Sequence, residues 1–378
     1  MHILIAPNAF KHSLTAKQAA IAIQNGLNSS SHGFTSVCFP IADGGDGTAS
    51  LIIEKCKGER IASVVQDALG RNVLSSFGLI DQGKTAVIEM ADASGLRLLP
   101  TSELAPLKAS SFGTGQLIKA ALDKGVTKII LAMGGSATVD AGCGILSALG
   151  FTFTRAGEKE LLATPENLMD VERIDTSKAD QRLKNCEMII LCDVDNMLLG
   201  PDGAAAVFGP QKGADTQTVQ LLDNFLTRLT RVTERQFGKR MDQLKYGGTA
   251  GGAAAGLQVF LNAKLVNGIA YFLNITDFDQ ALQQADVLIT AEGSIDSQTL
   301  QGKAPFGVAE RAKAKHIPVI GLAGKVPLAP EAELLKYFDV LMAIGNGPAD
   351  LASALQHTEQ NLTRTAINIG HFLSFGKG

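Results

Sequence analysis

The chain has 378 residues, 46% of them hydrophobic and 19% charged, with a net charge of −3 and 40 glycines. That mixture excludes wholesale disorder, and the near-neutral charge leaves no electrostatic footprint for nucleic acid, so any bound anion must be held by a local pocket. The length suits two domains or one large α/β domain, and no uninterrupted apolar run approaches the ~20 residues that cross a bilayer, so no membrane partner is expected.

The five cysteines, Cys38, Cys56, Cys143, Cys186 and Cys192, show no CxxC spacing. An odd number without a framework fits buried thiols in a reducing compartment. The chain enters a strand at once with Ile3-Leu-Ile-Ala6, with no basic segment and cleavage site before it, and the expectation is a cytoplasmic protein.

In chain order, residues 2–6 read as a buried strand. Thr15 reads as the N-cap of a helix running to about Leu27, with Gln18 completing a capping box. Val37-Cys-Phe39 is a short strand, followed by an Asp-Gly-Gly-Asp-Gly loop and a helix that stops at Gly58. Runs at 61–66, 73–80 and 85–90, separated by turn signals, predict a β meander rather than a βαβ unit. The meander is taken as the start of an inserted domain, with residues 1–60 and 286–378 forming one domain and 61–285 the other.

A helix at 115–124 leads to the strand Lys128-Ile-Ile-Leu-Ala132, and the next helix is placed from near Asp140 to Gly150. Residues 155–185 are weakly patterned. Met188-Ile-Ile-Leu-Cys192 is another buried strand. Asp215 caps a long amphipathic helix bearing Leu222, Phe225, Leu226 and Leu229, and a Gly/Ala-rich stretch at 247–256 leads into one more helix. Strand 285–291, helix 304–315, strands 318–322 and 339–343 and a C-terminal helix from about 350 complete the chain. This alternation predicts an α/β fold of mostly parallel sheets with flanking helices.

Five stretches place glycines, carboxylates or lysines where an apolar run stops. They are Ile41-Ala-Asp-Gly-Gly-Asp-Gly-Thr48, Gly134-Gly-Ser-Ala-Thr-Val-Asp140, Cys192-Asp-Val-Asp-Asn196, Phe208-Gly-Pro-Gln-Lys-Gly213 and Ala291-Glu-Gly-Ser-Ile-Asp296. Those at 134, 192 and 291 directly follow short β-like runs, and open α/β sheets bind ligands beyond the carboxyl ends of strands. Glycine admits close backbone approach, helix starts attract phosphate, and carboxylates hold magnesium. The combination points to phosphoryl transfer to a small anionic substrate.

Gly134, Gly135, Ser136, Thr138 and Asp140 read as an anion cradle, or as a tight turn with Asp140 as a helix cap. Asp43 and Asp46 read as magnesium or base carboxylates, or as a turn and cap. Asp193 stands at a strand's carboxyl end, a frequent place for a catalytic carboxylate. Lys11 and Ser13 follow the first strand at a position suited to an anion, or are a plain loop, and Lys212 and Lys303 stand beside glycines, as phosphate contacts or as solvated loop lysines. The familiar nucleotide motifs are absent: Gly302-Lys303 lacks the residues of a P-loop, and Gly113-Thr-Gly lacks the third glycine and the strand of a dinucleotide fingerprint.

Taken together these stretches resemble the bacterial glycerate kinases of the first type. The resemblance runs in order from Ala6-Pro-Asn-Ala-Phe-Lys-His-Ser13 through the five stretches to Gly302-Lys-Ala-Pro305. It departs at Asn8-Ala-Phe-Lys-His12, where the family has Asp-Ser-Phe-Lys-Gly, at Asp46, where it has Glu, and at Val139-Asp-Ala-Gly142, where it has Asn-Asp-Gly-Gly. Met197 replaces a proline and Ala291 a glycine. The resemblance implies two α/β domains around a cleft and phosphorylation of D-glycerate with ATP and Mg2+, at the 2-hydroxyl more often than the 3-hydroxyl.

With that reading, Asp193 is expected to orient or deprotonate the substrate hydroxyl, with Lys303 and Lys11 also catalytic. Ser13, Gly134, Gly135, Ser136, Thr138, Asp140, Lys212, Glu292 and Gly293 are expected to bind substrate or nucleotide, and Asp43, Asp46 and Asp296 to hold metal. A monomer or homodimer is expected. The rival readings are a kinase for another hydroxy or sugar acid, a non-catalytic glycerate- or nucleotide-binding regulator, and a dehydrogenase, the last disfavoured by the missing fingerprint.

Overall fold

A computed structural model describes residues 1–30, 33–155, 160–329 and 331–375. The strands are β1 (His2–Ile5), β2 (Thr35–Cys38), β3 (Glu59–Gln66), β4 (Asn72–Ile80), β5 (Thr85–Glu89), β6 (Lys128–Ala132), β7 (Thr152–Thr154), β8 (Arg173–Asp175), β9 (Glu187–Cys192), β10 (Lys264–Asn267), β11 (Val287–Ser294), β12 (Val319–Lys325) and β13 (Val340–Ala343). The chain divides into two compact units, Met1–Asp43 with Ile269–Gly378, and the intervening Gly44–Gly268.

The unit bearing both chain ends is built on a five-stranded sheet in the order β13-β12-β11-β1-β2. Its pairs are all parallel. Parallel sheets covered on both faces need strands that are apolar throughout rather than alternating, and Ile3, Leu4, Ile5, Leu288 and Ile289 are fully buried here. The helix Ala16–Ser29 starts with the expected capping box: Thr15 Oγ1 accepts from Gln18 N and Gln18 Oε1 accepts from Thr15 N. It packs on the helix Thr358–Ser374, and the two come closest at Gly26, where a Cβ would stand 2.3 Å from the carbonyl oxygen of Thr363.

The inserted unit carries a six-stranded sheet in the order β10-β9-β6-β5-β4-β3. The four strands from β10 to β5 run parallel. The predicted meander is present as antiparallel β3-β4-β5 and forms the edge of this same sheet. Its core includes Phe77, Phe153, Phe225, Leu226 and Leu229, so the apolar face of the helix Thr216–Phe237 is buried as its periodicity requires. Burying each such side chain contributes roughly 1.5–3 kcal/mol. The weakly patterned region 155–185 contributes β8, which pairs with β7 in a small two-stranded sheet.

The divisions at 43/44 and 268/269 fall before the expected 60/61 and 285/286. Contacts made by neighbouring helices explain both shifts. The helix Thr48–Lys55 packs on β4 and β5 and so belongs with the insert. Beyond 268, Ile269 abuts Gly307, and Phe278 stacks edge-on against Phe39, tying that segment to the terminal unit. Strand β10 escaped notice because it is a short edge strand with a lysine and an asparagine at its ends. The helix expected from Asp140 begins at Cys143, and the expected C-terminal helix is two, Leu351–Gln356 and Thr358–Ser374.

The close approach at Gly26 yields a direct test. Gly26→Ala improves helix propensity but forces two backbones apart, and overpacking of this kind costs about 1–3 kcal/mol. Denaturant unfolding is expected to show a net loss of stability; an unchanged or higher midpoint would mean that the helices are not in contact there.

Candidate active site

The candidate residues fall into two clusters, one in each unit, and the division at 43/44 cuts the Asp-Gly-Gly-Asp-Gly stretch between Asp43 and Gly44.

In the terminal unit the cluster stands at the carboxyl ends of β1 and β11, which are neighbours in the sheet. Beyond β1 the chain continues alongside β11, with Asn8 N donating to Ala291 O at 2.8 Å. Asn8 Nδ2 donates to Asp43 Oδ2 at 3.2 Å. Glu292 is 8% exposed and accepts from Thr299 Oγ1 at 3.1 Å. Burial first, then the negative charge of Asp43, raises the Glu292 pKa to about 8, against the opposing pull of Lys303 and the Thr299 hydroxyl.

Asp296 accepts from Ser294 Oγ at 3.0 Å and from Gln298 N at 3.0 Å, so its carboxylate caps the turn Ser297–Gln301. Lys303 precedes the helix Ala304–Lys313 as its N-cap. Gly293 is exposed between these groups.

Lys11 is exposed on a tight turn closed by hydrogen bonds between Phe10 and Leu14. Ser13 departs from the anion-binding expectation: its hydroxyl donates to Leu355 O at 2.6 Å and its amide to Phe10 O, so neither donor points to a ligand. His12 holds a left-handed φ of 64°. This is where the family pattern has glycine; histidine adopts that region more readily than most residues.

In the inserted unit the cluster gathers at the carboxyl ends of β5, β6 and β9. Gly134 N donates to Gly44 O at 2.9 Å. Glycine is required at this contact: a Cβ on Gly134 would stand 2.4 Å from Gly45 Cα, and one on Gly135 would stand 1.9 Å from Asp46 Oδ1. The exposed Asp46 therefore lies against the Gly134–Asp140 turn.

Beneath that turn Lys212 is 2% exposed, and its ammonium donates to Ser136 Oγ at 2.9 Å and Thr138 O at 2.7 Å. Burial lowers its pKa to about 7, with the charges of Asp140 and Asp193 opposing. The expected ligand-facing loop lysine is instead an internal strut, since two of its three donors are turned to the protein.

Asp140 is also committed internally. One oxygen accepts from Ser111 N, Ser111 Oγ and Gly144 N, and the other from Gly142 N, at 2.7–3.1 Å. It fixes the turn ahead of the helix Cys143–Ala148 rather than standing open to a ligand or serving as its N-cap, which is Gly142. Ser136 accepts the lysine's bond and keeps its own proton to donate. Thr138 Oγ1 is buried with no hydrogen-bond partner in the structure. Asp193 is partly exposed just past β9.

Sequence reading missed Glu89, which closes β5 at 3% exposure. Its two oxygens accept from Gly47 N at 2.8 Å and Ala49 N at 3.2 Å. Burial, then Asp92, raises its pKa to about 7, with Asp46 adding and the two amides opposing. The available signal was a carboxylate ending an apolar run one strand away from Gly134.

Magnesium takes one or two carboxylates and completes its shell with waters and substrate phosphates. Asp43 and Glu292 fit that demand, since a divalent cation would offset the burial and the Asp43 charge that raise Glu292. Asp296 lies in the same unit, whereas Asp46 belongs to the other cluster. Among the described residues no group of three or more His, Cys, Asp or Glu is placed to enclose a metal by itself, and no helix is long and apolar enough to cross a membrane.

The raised Glu292 pKa has a stability consequence. Between the ordinary carboxylate value of 4.5 and about 8 the folded state keeps a proton that the unfolded chain has lost. Stability must therefore fall as pH rises through that window. Glu292→Gln keeps an acceptor for Thr299 and removes the titration. In thermal melts of the ligand-free protein from pH 5 to 8 it is expected to flatten the decline; parallel curves for both proteins would refute the buried-carboxylate assignment.

The glycerate kinase family model matches residues 3–374. The chain is 41% identical to a glycerate kinase of Bacillus subtilis (strain 168), covering 100% of this chain and 99% of the relative. It is 39% identical to a glycerate 2-kinase of Escherichia coli (strain K12), covering 100% and 99%. A crystal structure of putative glycerate kinase 2 from Salmonella typhimurium LT2 superposes with a TM-score of 0.82 at 39% identity, covering 100% of this chain and 99% of that one. With clusters of carboxylates and glycine turns at strand ends and similarity along its whole length, the chain belongs to the glycerate kinase family.

Proposed function

We propose that this protein transfers the γ-phosphoryl group of ATP to the 2-hydroxyl of D-glycerate in the cytoplasm, forming 2-phosphoglycerate and ADP. The observation that carries the reading is the gathering of carboxylates and glycine turns at the ends of parallel strands in a chain of this family. The choice of hydroxyl is supported by the relative from Escherichia coli named glycerate 2-kinase, alike over the full length.

Phosphoryl transfer asks a protein for positioning, charge neutralisation and an oriented nucleophile. Asp193 accepts the proton of the attacking hydroxyl as its oxygen bonds to phosphorus and the bond to the ADP oxygen breaks. The Gly135 amide and the Ser136 hydroxyl receive an anion, a phosphate or the glycerate carboxylate. Lys303, beside Glu292, and the exposed Lys11 offset negative charge. Asp43 and Glu292, with Asp296 nearby, would hold magnesium, which would supply positive charge against the phosphates.

Phosphorus NMR of the product made from MgATP and D-glycerate tests both reaction and position. A 2-phosphoglycerate signal is expected; the 3-isomer would overturn the regiochemistry, and no glycerate-dependent product would overturn the substrate. Asp193→Ala is expected to lower kcat by about 10²–10⁴-fold, the usual worth of a positioned acid or base, with nucleotide affinity little changed. Near-normal turnover would remove Asp193 from that role.

A further inference from the structure

We propose that Glu89 is a positioning residue of the phosphoryl-transfer site, holding the loop that carries Asp46 against the Gly134–Asp140 turn. The inference rests on the reading of the protein as a glycerate kinase and adds a residue to it.

The helix Thr48–Lys55 begins at Gly47, which holds a left-handed φ of 86° and has no side chain to cap the helix. A helix start leaves amides without internal partners. Here the caps come from another strand: Glu89 accepts from Gly47 N and Ala49 N, one on each oxygen. Both bonds flank the backbone next to Asp46.

The second half of the contact comes from the neighbouring strand. Glu89 lies opposite Ala132 in the parallel pair β5-β6, and Met90 N donates to Ala132 O at 2.9 Å. Strand β6 then leads directly into Gly134, whose amide returns to Gly44 O. The circuit Glu89, Gly47, Gly44, Gly134, β6 fixes one end of the Asp46 loop by carboxylate and the other by backbone. Asp46 Oδ1 is thereby held where only a glycine at 135 leaves it room.

A buried carboxylate near two others is costly for a purely structural cap. Asp92 is close enough to disfavour its charge, and so is Asp46 itself. A neutral acceptor would hold two amides without that cost. What the carboxylate adds when ionised is a charge-assisted bond of 2.8 Å to Gly47 N, the amide directly after Asp46, beside a longer bond of 3.2 Å to Ala49 N in the first turn of the helix.

The test is a double-mutant cycle on the full chain, reading kcat and KM for glycerate-dependent ATP turnover, with circular dichroism melts to establish folding. Glu89→Ala is expected to lower kcat by about a hundredfold, the usual effect of a small misplacement of reacting groups, with a smaller change in KM. In an Asp46→Ala background the same change should cost less than about twofold, because the loop's cargo is already gone. Glu89→Gln, which keeps one acceptor, should recover part of the loss, and it carries the cycle if the alanine variant does not fold.

Equal losses in both backgrounds, or unchanged kcat in a folded Glu89 variant, overturn the proposal while leaving the kinase intact. A wild-type protein without glycerate-dependent turnover overturns both.

Discussion

Ionisable side chains taken out of water and tied to backbone amides, hydroxyls or carbonyls are the constraint on which the loops at the strand ends depend. Asp140, Lys212, Glu89 and Glu292 are each at least nine-tenths buried, and each is bonded to a turn at a strand's carboxyl end. A buried charge whose partners are removed is far more costly than one that keeps them. A turn held in this way has few alternative conformations. The apolar strands supply the stability of the sheets, while the buried ionisable side chains set the positions of the loops at their ends.

The arrangement also separates side chains committed to internal bonds from side chains that keep exposure. Asp140 spends its oxygens on Ser111, Gly142 and Gly144, and Lys212 spends its ammonium on Ser136 and Thr138. Asp46 and Lys11 are exposed, and Asp193 and Lys303 partly exposed. The departures from the family pattern follow the same logic. Ala141 occupies a left-handed φ of 50° where the pattern has glycine, and Asp140 beside it is held by four hydrogen bonds. Strain of this kind persists where the surroundings over-determine the backbone.

Much of the fold was legible because its determinants are local. The capping box at Thr15, the meander and the apolar strands at 128–132 and 187–192 each declare themselves within a few residues. What was not legible depends on distant partners. Glu89 looks like the end of an ordinary strand until residues 47 and 49 are seen folded onto it. Lys212 looks like a solvated loop lysine until the turn at 136–138 covers it. The unit boundary inside Asp43-Gly44 had no composition shift to mark it, since it depends on which sheet the next helix packs against. The motif residues were found by chemical type, and their division between ligand contact and internal support required the geometry.

The most direct test of this account is a crystal structure of the protein with MgADP and D-glycerate bound. The account predicts that Lys212 remains on Ser136 and Thr138, that Asp140 keeps its four internal bonds, and that the anion at the Gly134 turn is met by the Gly135 amide and the Ser136 hydroxyl. A phosphate or carboxylate oxygen bonded directly to the Lys212 ammonium, with its present bonds broken, would contradict it.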